Sequence, residues 1–247
     1  MRYAVISDIH SNAAAFQAVI DYLKTNPVDR IACCGDMTGF GPEPKECIAL
    51  FKTLKNAFCI AGNHDRHITG KLSDEGFNAA AAAANKLNRE AIGPEEMVFL
   101  NSLRAKMSEN GLLFVHGSPR NPVDEFLFKL EKYEENMAEF SEAACFIGHT
   151  HQPIVFYQDI HTLETGFVQV EQEPFAMQTE ENRRYIINVG SVGQPRDRNP
   201  KACMAFFDTD TKMLSFKRLE YNTAAVAEKM TRLGYPAELC GRLMMGI

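Results

Sequence analysis

The segment Ala143-Ala144-Cys145-Phe146-Ile147-Gly148-His149-Thr150-His151 combines two features that decide how this chain folds. Residues 143–147 form an apolar run of the length expected for a buried β-strand, and this run stops abruptly at Gly148. Two histidines separated by a single residue follow directly. The segment therefore predicts a strand that delivers reactive side chains to one edge of a sheet.

Four other segments repeat this arrangement. Each follows an apolar run that is predicted as a strand, and each carries histidine, carboxylate or amide groups. These segments are Asp8-Ile9-His10, Gly35-Asp36, Gly62-Asn63-His64-Asp65 and Val115-His116-Gly117. With residues 148–151 they hold five of the seven histidines of the chain. We expect all five segments to meet at one edge of a sheet.

The order of the predicted elements indicates the fold class. Strands at 3–6, 30–34 and 57–61 alternate with amphipathic helices, and further helices are predicted at 77–87, which includes six consecutive alanines, and at 95–103. Later strands are predicted at 111–115, 143–147, 154–157, 185–189, 202–207 and 213–219, and two helices follow at 224–233 and 237–245. A strand–helix half followed by a strand-rich half predicts two sheets packed face to face with helices outside.

No linker, internal repeat or low-complexity tract divides the chain of 247 residues. We therefore predict a single domain over residues 1–247, with a core to about residue 220 and a C-terminal helical extension over 221–247. This extension is rich in methionine. It is predicted to cap a substrate pocket, to form a dimer contact or to pack on the core of its own chain, so homo-oligomerisation is left open.

The composition excludes several partners. The net charge of −6 and the isoelectric point near 5.7 argue against stable binding to nucleic acid or to an anionic membrane. No apolar run approaches the roughly 20 residues of a membrane helix, and the N-terminus turns polar too early for a signal peptide. Seven cysteines, mostly inside apolar runs, suggest buried thiols rather than disulfides. We expect a cytoplasmic protein.

The residue types in the five segments favour a metal centre. Asp8 and His10 lie two residues apart, so that both could reach one ion, and Asp36 could bridge two ions through its two oxygens. The other candidate ligands are Asn63, His116, His149 and His151. Imidazole with carboxylate suits Mn, Fe or Zn, and a metal pair about 3.5–4 Å apart suits attack on phosphorus.

These motifs, in this order over about residues 1–195, resemble the calcineurin-like metallophosphoesterase superfamily. Within it, the chain length and the loop Gly39-Phe40-Gly41-Pro42-Glu43-Pro44 after Asp36 resemble the small bacterial and archaeal phosphodiesterases. The resemblance implies an α/β fold, a four-layer αββα sandwich of two packed mixed β-sheets with outer helices. It also implies two divalent or trivalent transition-metal ions per chain, with Mn preferred and Fe, Zn or Ni as alternatives.

The resemblance assigns roles to individual residues. One metal would be held by Asp8, His10, Asp36 and His151, and the second by Asp36, Asn63, His116 and His149. His64 would be the general acid beside the leaving group.

One departure from the family pattern bears on substrate choice. Phosphoprotein phosphatases of the family carry an Asp three residues after the bridging Asp, which orients the catalytic His, and an Arg directly after it. Here these positions are Gly39 and Phe40. Asp65 is then the candidate catalytic residue that orients His64.

The leading hypothesis is hydrolysis of small phosphodiesters, with cyclic or dinucleoside nucleotides among the candidates. Hydroxide that bridges the metals would attack phosphorus in line, and His64 would protonate the leaving alkoxide. The alternative is a phosphomonoesterase or protein phosphatase on the same metal centre. A remote alternative is a scaffold with this fold that has lost catalysis.

Two further residues are candidate substrate contacts. Asn12 is either a helix cap or a contact to substrate. Arg196 follows the glycine-containing loop 188–195, and its planar guanidinium could clamp a phosphate.

Overall fold

Two mixed β-sheets of six strands each form the centre of the protein, whose computed structural model describes residues 1–73, 75–171 and 173–247. The first sheet has the order β3-β2-β1-β11-β12-β9, and the second has the order β4-β5-β6-β10-β7-β8. The strands of the first sheet are β1 (Arg2–Ile6), β2 (Arg30–Cys33), β3 (Ala57–Cys59), β9 (Phe175–Gln178), β11 (Ala202–Asp208) and β12 (Met213–Leu219). Those of the second are β4 (Lys106–Glu109), β5 (Leu112–Val115), β6 (Ala144–Ile147), β7 (Ile154–Asp159), β8 (Thr165–Gln169) and β10 (Arg183–Asn188).

Helices lie outside the two sheets. They are α1 (Ala13–Thr25), α2 (Pro44–Lys52), α3 (Asn63–Ile68), α4 (Ala79–Ala91), α5 (Pro94–Ser102), α6 (Leu130–Met137), α7 (Thr223–Arg232) and α8 (Ala237–Met245). The apolar stripe of α1, which includes Phe16 and Val19, is buried against the first sheet together with residues of α2. Tyr133 and Met137 of α6 pack on the second sheet.

The space between the sheets is filled by large side chains from both of them. Tyr3 and Phe207 of the first sheet lie in one buried cluster with Phe114 and Phe146 of the second. Burial of this apolar area is the main driving force for the packing. The predicted four-layer αββα sandwich is thus confirmed.

Strand direction positions the functional segments. In the first sheet β1, β2 and β3 run parallel to one another, and in the second sheet β5, β6 and β10 do the same. Since parallel neighbours end at the same edge, the loops that follow β1, β2 and β3 lie side by side, and so do those that follow β5 and β6.

The C-terminal helices pack on the chain's own core. Residues of α7 and α8 form a buried cluster with α4 and Phe40, which includes Met230, Leu239 and Leu243. Residues 221–247 are therefore joined to the loop that follows β2.

Five elements were not predicted from the sequence. Strands β4, β8 and β9 are only partly buried, and they lack the strong apolar runs of the central strands. Helix α6 is mostly polar and buries only Tyr133, Asn136 and Met137. Helix α3 begins at Asn63 itself, just after the predicted strand 57–61, where no helix was predicted from the sequence.

All seven cysteines are free thiols, and only Cys59 is not fully buried. No helix in the described part of the chain has both the length and the apolar character needed to cross a bilayer.

Candidate metal centre

The five segments singled out in the sequence meet at one edge of the sandwich. Asp8 and His10 follow β1, Asp36 follows β2, and Asn63 follows β3 in the first sheet. The second sheet contributes His116 after β5, and His149 and His151 after β6. The side chains form buried groups with ligand atoms within 4.8 Å of one another. Two of the three groups, Asp8-His10-His151 and Asp36-His116-His149, contain residues from both sheets, and the third group is His10-Asp36-His64.

The first cluster consists of Asp8, His10 and His151, all of which are buried. His10 Nε2 lies 3.5 Å from Asp8 Oδ1 and 3.0 Å from His151 Nε2. His151 Nε2 is 3.2 Å from Asp8 Oδ1. Three donor atoms of two residue types therefore converge on one point.

The second cluster is centred on His116 Nε2. This nitrogen lies 3.2 Å from Asp36 Oδ2, 3.1 Å from Asn63 Oδ1 and 3.0 Å from His149 Nδ1. Asp36 Oδ2 is also 3.7 Å from His10 Nε2 of the first cluster. Asp36 thus lies between the two clusters, which is the position that a shared ligand requires.

Hydrogen bonds to backbone carbonyls fix the histidine rings. The Nδ1 atoms of His10, His151 and His116 lie 3.0, 2.5 and 2.8 Å from the carbonyl oxygens of Thr38, Gln194 and Cys34. When Nδ1–H of a neutral ring donates this hydrogen bond, Nε2 keeps a free lone pair that can bind a cation. The lone pairs of His10 and His151 then face each other at 3.0 Å, an arrangement that a cation between them stabilises.

The buried charge of the clusters is suited to cations. Burial disfavours ionisation of Asp36, yet the nearby His116 brings the pKa of this carboxyl below its usual range. The pKa of Asp8 is also lowered against the effect of burial, chiefly by His151. Burial favours the neutral form of His116, but Asp36 raises the pKa of its imidazole to about 10. The two buried carboxylates thus favour positively charged partners.

The spacing of the donor atoms also fits transition metals. Ligand atoms that lie about 2.0–2.2 Å from an ion are about 3 Å from one another, and the observed separations are 3.0–3.7 Å. Asp8 Oδ1 and His149 Nε2 are buried without a hydrogen-bond partner among the described residues. The residues present therefore fit a pair of bound cations.

The backbone at the candidate ligands is unusual. Asp8, His10, Asp36, His149 and His151 all have positive φ angles, between 47° and 68°. Non-glycine residues adopt this left-handed conformation rarely, at a cost of about 1–3 kcal/mol each. Such strain is typical of functional sites, because the surrounding fold must impose it.

His64 lies beside both clusters and is oriented by Asn85 of α4. The distance between His64 Nδ1 and Asn85 Oδ1 is 2.6 Å, and both residues are buried. Donation from Nδ1–H leaves Nε2 to exchange a proton with a substrate. Burial lowers the pKa of His64 to about 3 despite the raising effect of Asp36. The ring is therefore neutral near pH 7 until a negative charge lies against it.

The prediction that Asp65 orients His64 is wrong. The Asp65 carboxylate accepts hydrogen bonds from the backbone N–H groups of Gly62, Met37 and Thr38, and from the Thr38 hydroxyl. It therefore joins the loop after β2 to the start of α3. Burial and the nearby Asp36 raise the pKa of Asp65 to about 6.

Gly39 explains why no residue of its own loop orients His64. Its φ angle is +95°, and a Cβ atom built on it would lie 2.5 Å from His64 Nδ1. The imidazole thus fills the space that a side chain at position 39 would need. The neighbouring Phe40 packs its ring on His64 with a centroid distance of 4.5 Å.

The roles of Asn85 and Asn88 were not predicted from the sequence. The helix predicted over 77–87 was assigned only a packing role, and it ends one residue before Asn88. The available signal was two asparagines three residues apart, which lie on one face of a helix. Asn88 Oδ1 accepts hydrogen bonds from Ser11 Oγ and the Gly39 N–H. Its amide nitrogen lies within hydrogen-bond distance of the Gly41 carbonyl and the Tyr235 hydroxyl.

Replacement of Asn88 with alanine is expected to lower the free energy of unfolding by about 3 kcal/mol, because several buried polar groups lose their partner. Urea-induced unfolding, followed by circular dichroism, measures the change. Asn101→Ala in α5 is the matched control, since Asn101 is exposed and, among the described residues, its side chain bonds only to the Met97 carbonyl of its own helix. Equal stability of the two variants would show that the Asn88 network contributes little.

A cavity of about 320 Å³ opens onto the centre. It is lined by Asp36, Asn63, His64, His149 and His151 among the candidate functional residues, and also by Arg196. Phe126, which also lines it, stacks on His149 with ring centroids 3.6 Å apart.

The other predicted substrate contact, Asn12, has a structural role instead. Its Oδ1 accepts from the Ala15 N–H as the N-cap of α1, and its Nδ2 donates to the Gly193 carbonyl. Both functional groups of the amide are therefore used within the protein, and Asn12 is absent from the lining of this cavity.

Comparison with known proteins gives consistent results. Residues 1–212 match the family model of the calcineurin-like phosphoesterase superfamily domain. An uncharacterized protein of Methanocaldococcus jannaschii is 35% identical over 98% of this chain and 97% of its own length. A metallophosphoesterase from Sphaerobacter thermophilus is 34% identical, with a TM-score of 0.86 over 100% of this chain and 99% of that one. A hypothetical protein from Pyrococcus horikoshii shares the fold, with 22% identity and a TM-score of 0.80 over 100% and 98% of the two chains.

Proposed function

We propose, because the chain belongs to the calcineurin-like phosphoesterase superfamily, that it uses a pair of bound cations to hydrolyse small phosphodiesters. The observation that carries this proposal is the pair of buried donor clusters with Asp36 between them. Asp8, His10, Asp36 and His151 would hold one cation. Asp36, Asn63, His116 and His149 would hold the other.

The bound cations would supply a nucleophile by lowering the pKa of water, and they would offset charge on the phosphoryl oxygens. The residues of the chain would supply the remaining steps. His64 would give its proton to the departing alkoxide, and Asn85 would hold the imidazole in place through Nδ1. A phosphodiester anion beside the ring would raise the low pKa of His64 and favour the protonated form.

The surroundings of His64 support a diester rather than a monoester substrate. A neutral amide at Asn85 faces the imidazole where an aspartate would stabilise its cation. Phe40 is an apolar residue at the position where phosphoprotein phosphatases carry an arginine. A diester has one negative charge at neutral pH, and so it demands less compensation than the dianion of a monoester.

Phosphomonoester hydrolysis is the second candidate, and Arg196 favours it. The guanidinium carbon of Arg196 lies 5.4 Å from the centroid of the Phe40 ring, inside the same cavity. A cationic group from a different loop therefore reaches the region where the family arginine is missing. The scaffold alternative has less support, because all seven candidate ligands and His64 are present.

The two candidates are separated by parallel kinetics. Protein purified without chelator and supplied with Mn²⁺ is expected to hydrolyse bis-p-nitrophenyl phosphate with a higher kcat/KM than p-nitrophenyl phosphate. A monoester preference of orders of magnitude would reverse the ranking. Absence of both activities and of about two bound metal ions per chain, measured by elemental analysis, would favour the scaffold.

Several finer properties belong to the same proposal. We propose Mn as the preferred metal, with Fe, Zn or Ni as alternatives whose occupancy also depends on availability. We also propose a single domain over residues 1–247, a cytoplasmic location and no stable binding to nucleic acid. Measurement of the molecular mass in solution would test homo-oligomerisation.

A further inference from the structure

We propose that Arg196 and Arg242 form a second anion subsite, which selects substrates that carry another phosphate or carboxylate besides the reacting ester. This inference rests on the proposed function and specifies its substrate class. Both arginines line the cavity that contains His64 and Asp36. Arg196 follows β10, whereas Arg242 belongs to α8 in the C-terminal extension. Two separate parts of the chain thus contribute a positively charged guanidinium group to one cavity.

Arg196 is held in place with much of its hydrogen-bonding capacity unused. Its guanidinium lies over the Phe40 ring, and one terminal nitrogen donates to Gln194 Oε1 at 3.0 Å. Its Nε is buried without a hydrogen-bond partner in the part of the chain that the structure describes. Burial, followed by the charge of Arg242, lowers the pKa of Arg196 to about 10, which leaves it charged at neutral pH.

The guanidinium of Arg242 also makes few contacts with the protein. Its Nε donates to the backbone oxygen of Ile247 at 3.1 Å, and its side chain is 21% exposed. Its Nη1 lies 3.9 Å from Oε1 of Glu238, which is 64% exposed and therefore screened by water. Among the described residues, Arg196 has no ion pair. The buried guanidinium of Arg196 thus lacks a buried counter-charge, which a bound anion would provide.

The position of Arg242 is fixed by packing. Helix α8 buries Leu239 and Leu243 in the same cluster as Phe40, the residue that supports Arg196. The Arg198 N–H donates to the Gly246 carbonyl at 2.7 Å, and a Cβ built on Gly246 would meet the backbone of Asn199 at 2.7 Å. The end of α8 and the loop after Arg196 are therefore docked directly on each other.

The cavity is too small for an extended polymer and is mixed in charge. Glu75 and Asp124 also line it, so only part of its wall attracts anions. A compact compound fits this arrangement when one phosphate reaches the metal clusters and a second anionic group reaches the two arginines. This predicts that phosphodiesters with an additional phosphate or carboxylate bind more tightly than diesters with a single charge.

The test measures binding, so that it does not depend on turnover. Isothermal titration calorimetry on the Mn²⁺-loaded protein compares ethyl phosphate, phosphoglycolate and 1,3-propanediol bisphosphate, which are phosphomonoesters of the kind that diester hydrolysis releases. The second compound adds a carboxylate and the third adds a phosphate. We expect at least one of them to bind about 10- to 100-fold more tightly than ethyl phosphate, the range expected for hydrogen bonds to a charged group.

Arg242→Gln is expected to remove most of this preference, and Arg242→Lys to retain part of it. Arg232→Gln, on an exposed site of α7, is the matched control and should behave as wild type. Urea midpoints of the variants show whether α8 stays docked. Equal affinities of the wild type for all three compounds, or an equal loss for all three in Arg242→Gln, would overturn the subsite. Failure to hydrolyse bis-p-nitrophenyl phosphate would instead count against the proposed function.

Discussion

Replacement of His64 with alanine is expected to lower kcat for a cyclic nucleotide by about 10²–10⁴-fold, the range for loss of a general acid. Metal content should stay at the wild-type value, because His64 is not one of the seven candidate ligands. Its ring is instead oriented by the hydrogen bond to Asn85. Elemental analysis and steady-state kinetics on the same preparation measure both quantities.

The choice of leaving group makes this experiment specific. A nucleoside alkoxide needs a proton as it departs, whereas p-nitrophenolate is a stable anion. His64→Ala should therefore slow bis-p-nitrophenyl phosphate hydrolysis much less than cyclic nucleotide hydrolysis. Asn85→Ala, which keeps the imidazole but removes its partner, should give a smaller loss with the same pattern. A loss that is equal for both substrates, or a fall in metal content, would show that His64 is not the proton donor.

Replacement of Asp36 with asparagine is expected to remove metal and activity together. Its Oδ2 lies within 3.7 Å of both His10 Nε2 and His116 Nε2, so that its carboxylate would serve both cations. Loss of several kcal/mol of charge stabilisation corresponds to a fall in kcat/KM of about 10³-fold or more. Bound Mn should fall clearly below the wild-type ratio.

Thermal unfolding provides an independent readout of the same change. Mn²⁺ should raise the Tm of the wild type, because a ligand at about 100 times its Kd stabilises by about 2.7 kcal/mol. Asp36→Asn should show little of this increase, whereas Asp21→Asn, at an exposed position of α1, should retain it. Retention of wild-type metal content in Asp36→Asn would contradict the shared-ligand role.

The order of strands and helices was sufficient to predict the sandwich. Apolar runs such as 143–147 identify the central strands, because those strands are buried on both faces. The partly exposed strand β4 could not be found in this way. Its four residues alternate between exposed and half-buried positions and include the charged residues Lys106 and Glu109. Its position depends on pairing with β5, which is a tertiary contact.

The candidate site was predictable to the extent that its residues follow strands in sequence. Asn85 lies outside this pattern, because it reaches His64 from a helix that packs over the loop after β2. Asp65 was misassigned for a related reason, since adjacency to His64 does not determine where its side chain points. In α3 the Asp65 carboxylate turns back to the backbone of Thr38 and Gly62.

The contribution of both sheets to each cluster has a mechanical consequence. His151 from one sheet faces His10 from the other, and His116 faces Asp36 in the same way. Ions bound between the two sheets would link them reversibly, so that the sheets could not separate at this edge without releasing the ions. The loaded protein should therefore unfold as one cooperative block, and the stripped protein should open first at this rim.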